Sequence, residues 1–232
     1  MARRVFYDYG STTVDLFRTR AEGGRLPSLG EHERDDRVLR RLADQGKGGL
    51  LVTGHVGNWE LGAIYLAARG FPVAVMGQPE HDPAIQALRD EMRSRFGIGW
   101  IEIGSSTSTA FRVRKAVSEG TFVALLADRS YPEDRVTVDF FGRPTDFLRS
   151  PARLARFCEC PVLPCYLFRN DDGSYRSHFA DPVEIDPSLP AAEGDRQVMS
   201  TVAGVLEHGL RESPTQWYNF FDYWAEGERS AT

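Results

Sequence analysis

A histidine and a glutamate lie five residues apart where an apolar run gives way to a glycine-containing turn. His55 and Glu60 belong to the segment GHVGNWE at 54–60. Each residue of an α-helix turns by about 100°, so on one continuous helix these side chains would point about 140° apart. Contact between them requires a bend, which Gly57 permits. Asn58 is a good helix N-cap, which would place Glu60 at the second helical position, where the helix dipole favours a carboxylate.

This spacing is compatible with general-base chemistry at His55. An ionised Glu60 would fix the imidazole tautomer and stabilise the imidazolium, leaving the other ring nitrogen free to take a proton from a hydroxyl. The structural alternative is an ordinary buried histidine beside a glutamate that only interacts with the helix dipole. His-x-x-x-x-Glu is a weak pattern, so the pair alone leaves both interpretations open.

Other polar residues follow later apolar runs. Asp128 and Arg129 end the run at 121–127 and could orient a histidine, bind a phosphate or form a surface ion pair. The three cysteines lack the spacing of a zinc site, so no metal is expected. Two groups of cations near helix starts could meet phosphates or an acidic protein, or simply be solvated: Arg112, Arg114 and Lys115, and Arg149, Arg153 and Arg156.

Strand-like and helix-like segments alternate along the chain. Strands are predicted at 49–53, 72–76, 100–103, 121–127, 136–141, 162–168 and 174–180. Helices are predicted over 35–45, from about 58, and over 83–95, 107–118, 150–158 and 191–211. This alternation predicts one α/β domain over 1–232, with a mostly parallel or mixed central sheet and helices on both faces.

The opening segment, 1–20, is predicted to form an amphipathic helix. Phe6, Tyr9, Leu16 and Phe17 recur at helical spacing. No segment has the roughly 18 consecutive apolar residues of a membrane-spanning helix. A net charge of −5 and a pI near 5.6 argue against a nucleic-acid partner. We therefore expect a soluble or peripheral protein.

Five blocks in order resemble the bacterial late lipid A acyltransferases and their relatives, the mycobacterial phosphatidylinositol mannoside acyltransferases. The blocks are GHVGNWE, LLADR, VDFFGRP, LARFCECPVLPCYLF and PTQWYNFFDYW. The resemblance implies a glycerolipid acyltransferase-like fold of the lysophospholipid acyltransferase superfamily. It also implies transfer of a fatty acyl group from acyl-CoA or acyl carrier protein to a hydroxyl of a lipid or glycolipid. No acyl-enzyme and no further cofactor are expected.

The same resemblance implies roles for individual residues. His55 is expected to be the general base and Glu60 its acidic partner. Backbone N–H groups of the turn at 57–59 are expected to stabilise the oxyanion of the reaction. The residues expected to support the site or bind substrate are Gly57, Asn58, Asp128, Arg129 and Arg149.

The chain departs from the family pattern in three places. Most relatives open with a transmembrane anchor, and no such segment is seen here. Either an anchor precedes this sequence, or the helix at 1–20 lies on the membrane, expected to be the inner face of the bacterial cell membrane. Arg149-Ser150-Pro151 stands where a glycine usually precedes the proline. Phe221-Asp222-Tyr223 replaces a basic cluster, which disfavours a heavily phosphorylated acceptor.

The aromatic run at 217–224 is expected to be core or a membrane-interface belt.

Two other classes of function remain open. The same histidine and glutamate could activate water, which would make the protein an acyl thioesterase or lipid hydrolase. A non-catalytic lipid-binding module is the other alternative.

Overall fold

A six-stranded sheet forms the centre of the computed structural model, which describes residues 1–30 and 36–224. The strands in chain order are β1 (Gly49–Thr53), β2 (Val73–Gly77), β3 (Gly99–Glu102), β4 (Phe122–Leu126), β5 (Arg135–Phe140), β6 (Arg143–Leu148), β7 (Val162–Arg169) and β8 (Tyr175–Phe179). The order in the sheet is β3-β2-β4-β1-β7-β8, with all neighbours parallel except β7 and β8. β5 and β6 form a separate antiparallel hairpin.

Helices precede, connect and follow the strands along the chain. They are α1 (Ala2–Ala21), α2 (Arg37–Asp44), α3 (Trp59–Ala68), α4 (Pro83–Arg95), α5 (Ser106–Ser118), α6 (Ser150–Cys158) and α7 (Ala191–Glu212). Capping side chains set several starts; for example, Asp82 accepts a hydrogen bond from the Ala84 N–H at 2.7 Å, just before α4. Among the described residues, no helix is both long and apolar enough to span a bilayer.

The core has two layers, one on each face of the sheet. Alternate residues of a strand point to opposite faces, so Leu50 and Val52 of β1 join one layer and Leu51 joins the other. The first layer is completed by side chains of α5, α6 and α7. The second is completed by side chains of α2, α3 and α4. The predicted α/β class, with a mixed sheet covered on both faces, is confirmed.

Most predicted elements match the observed ones to within two residues. The predicted helix over 35–45 is α2, although residue 35 lies outside the described residues, as do 225–232 of the predicted domain. The second strand of the hairpin, β6, was not predicted. Its second residue is Pro144, which cannot donate a hydrogen bond between strands. Because proline is more typical of turns, the segment does not have the sequence pattern of a strand.

The predicted opening helix is confirmed as α1. The side that packs on the protein is mainly polar, however, and much of its apolar side is exposed. The face that packs on the protein carries Asp8, Thr12, Asp15 and Thr19, all buried. Several aromatic rings of the same helix face solvent instead, and Phe6 is 63% exposed. Globular proteins usually bury the apolar face of such a helix.

Two glycines of α7 provide a matched test of how this helix packs on the sheet. A Cβ at Gly209 would lie 2.6 Å from the Tyr166 ring, whereas one at Gly204 would meet nothing within 4 Å. We expect Gly209→Ala to destabilise the protein by about 1–3 kcal/mol through overpacking. Gly204→Ala should stabilise it by up to about 1 kcal/mol, because alanine favours the helix. Urea unfolding of both variants measures the difference, and equal effects would contradict the packing of α7 on β7.

Candidate active site

A tight turn after β1 presents His55 and starts α3. Gly57 has a φ of +55°, and a Cβ there would lie 2.0 Å from the carbonyl oxygen of Leu167, so a larger residue does not fit. The side chain of Asn58 caps α3 by accepting a hydrogen bond from a backbone N–H of the first turn at 3.1 Å. The predicted bend and N-cap are confirmed, and Glu60 is the second residue of the helix.

His55 is paired with a buried carboxylate that follows a neighbouring strand. Its Nδ1 lies 2.7 Å from Oδ1 of Asp128, and its backbone N–H donates to the same oxygen at 3.0 Å. Asp128 follows β4 and is 1% exposed. Because an ionised carboxylate can only accept, Nδ1 carries the proton, and Nε2 of the neutral ring is left as an acceptor. His55 therefore has the tautomer that a general base requires.

Asp128 remains ionised despite its burial. Burial by itself raises the pKa of a carboxyl group. The hydrogen bonds from His55, the positive charge that its ring carries when protonated, and the indole N–H of Trp217 outweigh that effect and lower the pKa of Asp128 to about 2. The histidine thus faces a permanent negative charge across the physiological pH range.

Glu60, the predicted partner of His55, is engaged elsewhere. Its carboxylate forms an ion pair with Arg89 of α4, with a nitrogen–oxygen distance of 2.8 Å. Burial raises the pKa of Glu60, and the positive charge of Arg89 opposes that rise. The expectation that Glu60 orients His55 is therefore corrected. The first turn of α3 directs Glu60 towards α4, and the Nδ1 position is taken by Asp128.

The backbone N–H groups predicted to stabilise an oxyanion are largely used within the fold. The N–H of Gly57 donates to the carbonyl oxygen of Gln216, and that of Asn58 donates to the carbonyl oxygen of Leu167, both at 2.8 Å. The Asn58 amide also donates to the carbonyl oxygen of Thr12 at 3.0 Å. The expectation is wrong for Gly57 and Asn58, which hold the turn in place rather than face a ligand.

Residues 216–221, here called the C-terminal strap, run beside the His55 turn. Val56 and Trp217 form an antiparallel bridge, and the N–H of Tyr218 donates to the carbonyl oxygen of His55 at 2.8 Å. The side chains of Trp217 and Asn219 both reach Oδ2 of Asp128. These contacts were missed because an aromatic run is typical of a core. The available signal was the polar Asn219 within that run.

A cavity of about 530 Å³ opens beside His55 at the carboxyl ends of β1, β2 and β4, the usual place for a ligand in an open α/β sheet. Glu60 and Arg89 form one charged part of its wall. Tyr9 of α1 and Phe220 of the strap also line it, and both are partly open to solvent. Most of the wall is apolar, and its apolar residues include Ala63, Ile64, Val75, Met92, Ile98 and Ala124.

The two arginines predicted to support the site lie in different places. Arg129 lines the cavity, and its Nε donates to Oδ1 of Asn219 at 2.8 Å. Arg149 instead pairs with the buried Asp195 at 2.6 Å, which joins α6 to α7, and Arg156 bonds the same carboxylate. Arg149 is not among the described residues that line the cavity. Arg149 therefore has a structural role in joining α6 to α7, which corrects its predicted role in supporting the site.

These features define an α/β protein in which a partly exposed histidine in the wall of an apolar cavity is paired with a buried aspartate. The family model for the bacterial lipid A biosynthesis acyltransferases matches residues 30–225. The chain belongs to this family, and the resemblance seen in the five sequence blocks is confirmed.

Characterised relatives match at modest identity. The chain is 22% identical to the phosphatidylinositol mannoside acyltransferase of Mycolicibacterium smegmatis over 213 residues, covering 88% of this chain and 67% of that protein. It is 22% identical to the protein of the same name from Mycobacterium tuberculosis H37Rv over 86% of this chain and 65% of that protein. The lipid A biosynthesis acyltransferase of Haemophilus influenzae is 23% identical over 77% of this chain and 54% of its own length. The chain thus spans about two thirds or less of these relatives.

The ionised Asp128 predicts a pH dependence of stability. Its folded pKa of about 2 lies below the ordinary value of 3.8, so its contribution is present above pH 4 and is lost as the pH falls through 2. By this linkage the ionised carboxylate increases the free energy of unfolding by about 2 kcal/mol near neutral pH. We expect the difference in unfolding free energy between wild type and Asp128→Asn to narrow by about that much between pH 5 and pH 2. Urea unfolding at several pH values measures it, and a constant difference would contradict the assignment.

Proposed function

We propose that this chain transfers a fatty acyl group from an acyl thioester to a hydroxyl of a lipid or glycolipid. The observation that carries the proposal is that His55, in the wall of the apolar cavity, is paired with the buried Asp128. A buried ionised carboxylate is costly to desolvate, and catalytic sites are where such groups are typically found. The family to which the chain belongs supports the same reaction class.

In the proposed reaction, the unprotonated Nε2 of His55 acts as the base. The acceptor hydroxyl donates to Nε2, which takes its proton as the oxygen attacks the thioester carbonyl carbon. Asp128 stabilises the imidazolium that forms. When the tetrahedral intermediate collapses, the carbon–sulfur bond breaks and the leaving thiolate takes the proton back from Nε2. An ester and a free thiol result, and no acyl group is attached to the protein.

The cavity is the proposed place for the acyl chain. Its volume of about 530 Å³ lies within the range of small-ligand sites. The apolar side chains of α3, α4 and the sheet would exclude water from the hydrocarbon. Both acyl-CoA and acyl carrier protein present the same thioester, so each is a candidate donor. Glu60 is then a wall residue of this cavity, held by Arg89, rather than the partner of the base.

The proposed acceptor is a glycolipid. The two mycobacterial relatives, whose names specify phosphatidylinositol mannoside, match over 88% and 86% of this chain. The lipid A enzyme of H. influenzae matches over 77%. Phosphatidylinositol mannosides are therefore the first acceptors to test, and lipid A precursors the second.

We further propose that the protein acts at the inner face of the bacterial cell membrane, where cytosolic thioesters meet lipid. The outward aromatic rings of α1 support this, because a helix lying on a membrane buries its apolar side chains, including phenylalanine, at the boundary of headgroups and acyl chains. Phe6 stacks on Phe220 of the strap, with ring centroids 5.1 Å apart. Phe220 also lines the cavity, so this exposed aromatic surface is continuous with its wall.

Thiol release from acyl-CoA and acyl carrier protein donors, with and without acceptor lipid, tests the reaction. Wild type should release thiol only when lipid is present. His55→Ala should lower the rate by about 10²–10⁴-fold, because the general base is lost. Asp128→Asn should cause a loss of similar size, since it disturbs the tautomer of His55. Glu60→Gln should cost much less, because Glu60 does not contact the base.

Three outcomes would contradict the proposal. Equal thiol release without lipid, still dependent on His55, would indicate a thioesterase. Lipid binding with no turnover by any donor, unchanged in His55→Ala, would indicate a binding module. A larger loss for Glu60→Gln than for Asp128→Asn would restore the pairing predicted from the sequence.

Flotation with vesicles of anionic phospholipid tests the membrane contact. Phe6→Ser/Phe17→Ser should reduce the floating fraction several-fold, because two exposed rings of α1 are removed. Phe111→Ser is the matched control: this ring is 59% exposed but lies on α5, across the sheet. Wild type that stays entirely in the soluble fraction, or equal effects of the two variants, would contradict the assignment of α1.

A further inference from the structure

We propose that Trp217 and Asn219 of the C-terminal strap are positioning residues for the His55–Asp128 pair. This inference rests on the proposed function for its meaning in catalysis. Neither residue is placed to react with substrate. Each acts through Asp128, by holding the carboxylate that fixes the ring of His55.

The carboxylate receives two donors on each oxygen. Oδ1 accepts the Nδ1–H and the backbone N–H of His55 at 2.7 and 3.0 Å. Oδ2 accepts the indole N–H of Trp217 at 2.9 Å and the amide of Asn219 at 3.1 Å. A carboxylate held at both ends cannot rotate without breaking two hydrogen bonds. The strap therefore fixes the oxygen that faces His55 by holding the other one.

The strap also holds the backbone of the base. The N–H of Tyr218 donates to the carbonyl oxygen of His55, and the carbonyl oxygen of Gln216 accepts from Gly57. The strap itself is anchored at its start, where the Gln216 amide makes two hydrogen bonds to the backbone of Arg169 at 2.9 and 2.7 Å. One short segment thus holds both members of the pair, one through its backbone and the other through its side chain.

Arg129 sets the orientation of Asn219. The guanidinium donates from Nε to Oδ1 of Asn219 at 2.8 Å and from a terminal nitrogen to the carbonyl oxygen of Tyr218 at 3.1 Å. With Oδ1 accepting from Arg129, the NH₂ group of Asn219 must face Asp128. A rotated amide would place its NH₂ against the guanidinium and its oxygen against the carboxylate. Arg129, predicted to support the site, does so through this chain of contacts.

Loss of either donor leaves part of Oδ2 without a partner at a buried position. An unsatisfied buried acceptor is costly, so the carboxylate is expected to turn towards the remaining donors. Such a movement disturbs the bond to Nδ1, which sets the tautomer of His55. Small errors in the position of a catalytic group reduce rates by up to about 100-fold.

The test compares two tryptophan-to-phenylalanine variants in the thiol-release assay. Trp217→Phe removes the N–H that binds Asp128. Trp224→Phe removes an equivalent N–H, which donates to Thr145 at 3.0 Å within the same aromatic cluster. We expect Trp217→Phe to lower kcat by about 10- to 100-fold with little change in KM. Trp224→Phe should stay within about twofold of wild type, and Asn219→Ala should resemble Trp217→Phe.

A double-mutant cycle separates positioning from a general structural effect. If Trp217 acts through Asp128, then Trp217→Phe should have less than about a twofold effect in an Asp128→Asn background. A full additional loss in that background would overturn the proposal. Equal losses for Trp217→Phe and Trp224→Phe would also overturn it.

Proton NMR of the His55 ring provides a readout that needs no turnover. The Nδ1–H bonded to a carboxylate gives a far-downfield resonance. We expect it to move or broaden in Trp217→Phe and Asn219→Ala and to persist in Trp224→Phe. If wild type transfers no acyl group, the proposed function fails while this comparison still decides the positioning. An unchanged resonance in both strap variants would overturn it.

Discussion

The carboxylate of Asp128 is the buried charge on which the arrangement of the site depends. It is 1% exposed, and an uncompensated charge at such a place would cost several kcal/mol. Four N–H donors compensate it, two from His55 and one each from Trp217 and Asn219. The hydroxyl of Tyr223 bonds the backbone carbonyl of the same residue. The turn after β1, the end of β4 and the C-terminal strap are therefore joined at one residue.

The sheet brings the pair together through its register. β1 and β4 are parallel neighbours, and Thr53 at the end of one is opposite Leu126 at the end of the other. His55 and Asp128 each lie two residues beyond those strand ends. They therefore lie side by side at the same edge of the sheet. Gly54 allows the close approach, since a Cβ there would lie 3.0 Å from Cγ of Asp128. The order of the strands, rather than any local motif, thus creates the pair.

Because helix and strand periods are set by neighbouring residues, local patterns were sufficient to predict every element of the sheet and all the helices named above, but not the hairpin strand β6. The helices over 83–95 and 150–158 agree with the observed limits. The same patterns made Asp128 one candidate to orient a histidine, but they could not select it over Glu60 as the partner of His55. Glu60 was favoured because it is five residues away, whereas Asp128 is 73 residues away and depends on the strand order. The end of the chain was recognised as aromatic, but its hydrogen bonds to Asp128 depend on a three-dimensional path that no local pattern contains.

The mainly polar inward side of α1 has a thermodynamic consequence. Its inward face is held by polar contacts: Asp15 accepts from Nε of Arg169 at 2.7 Å and from the Tyr175 hydroxyl at 2.9 Å. Leu16 of the same helix packs against the second core layer, so releasing α1 exposes charges and hydroxyls together with some hydrocarbon. Denaturant sensitivity and heat-capacity change both scale with newly exposed surface, and the latter mainly with its apolar part. Detachment of α1 is therefore a local opening that should raise the heat capacity less than the release of an equally large apolar face, while still adding to the urea sensitivity.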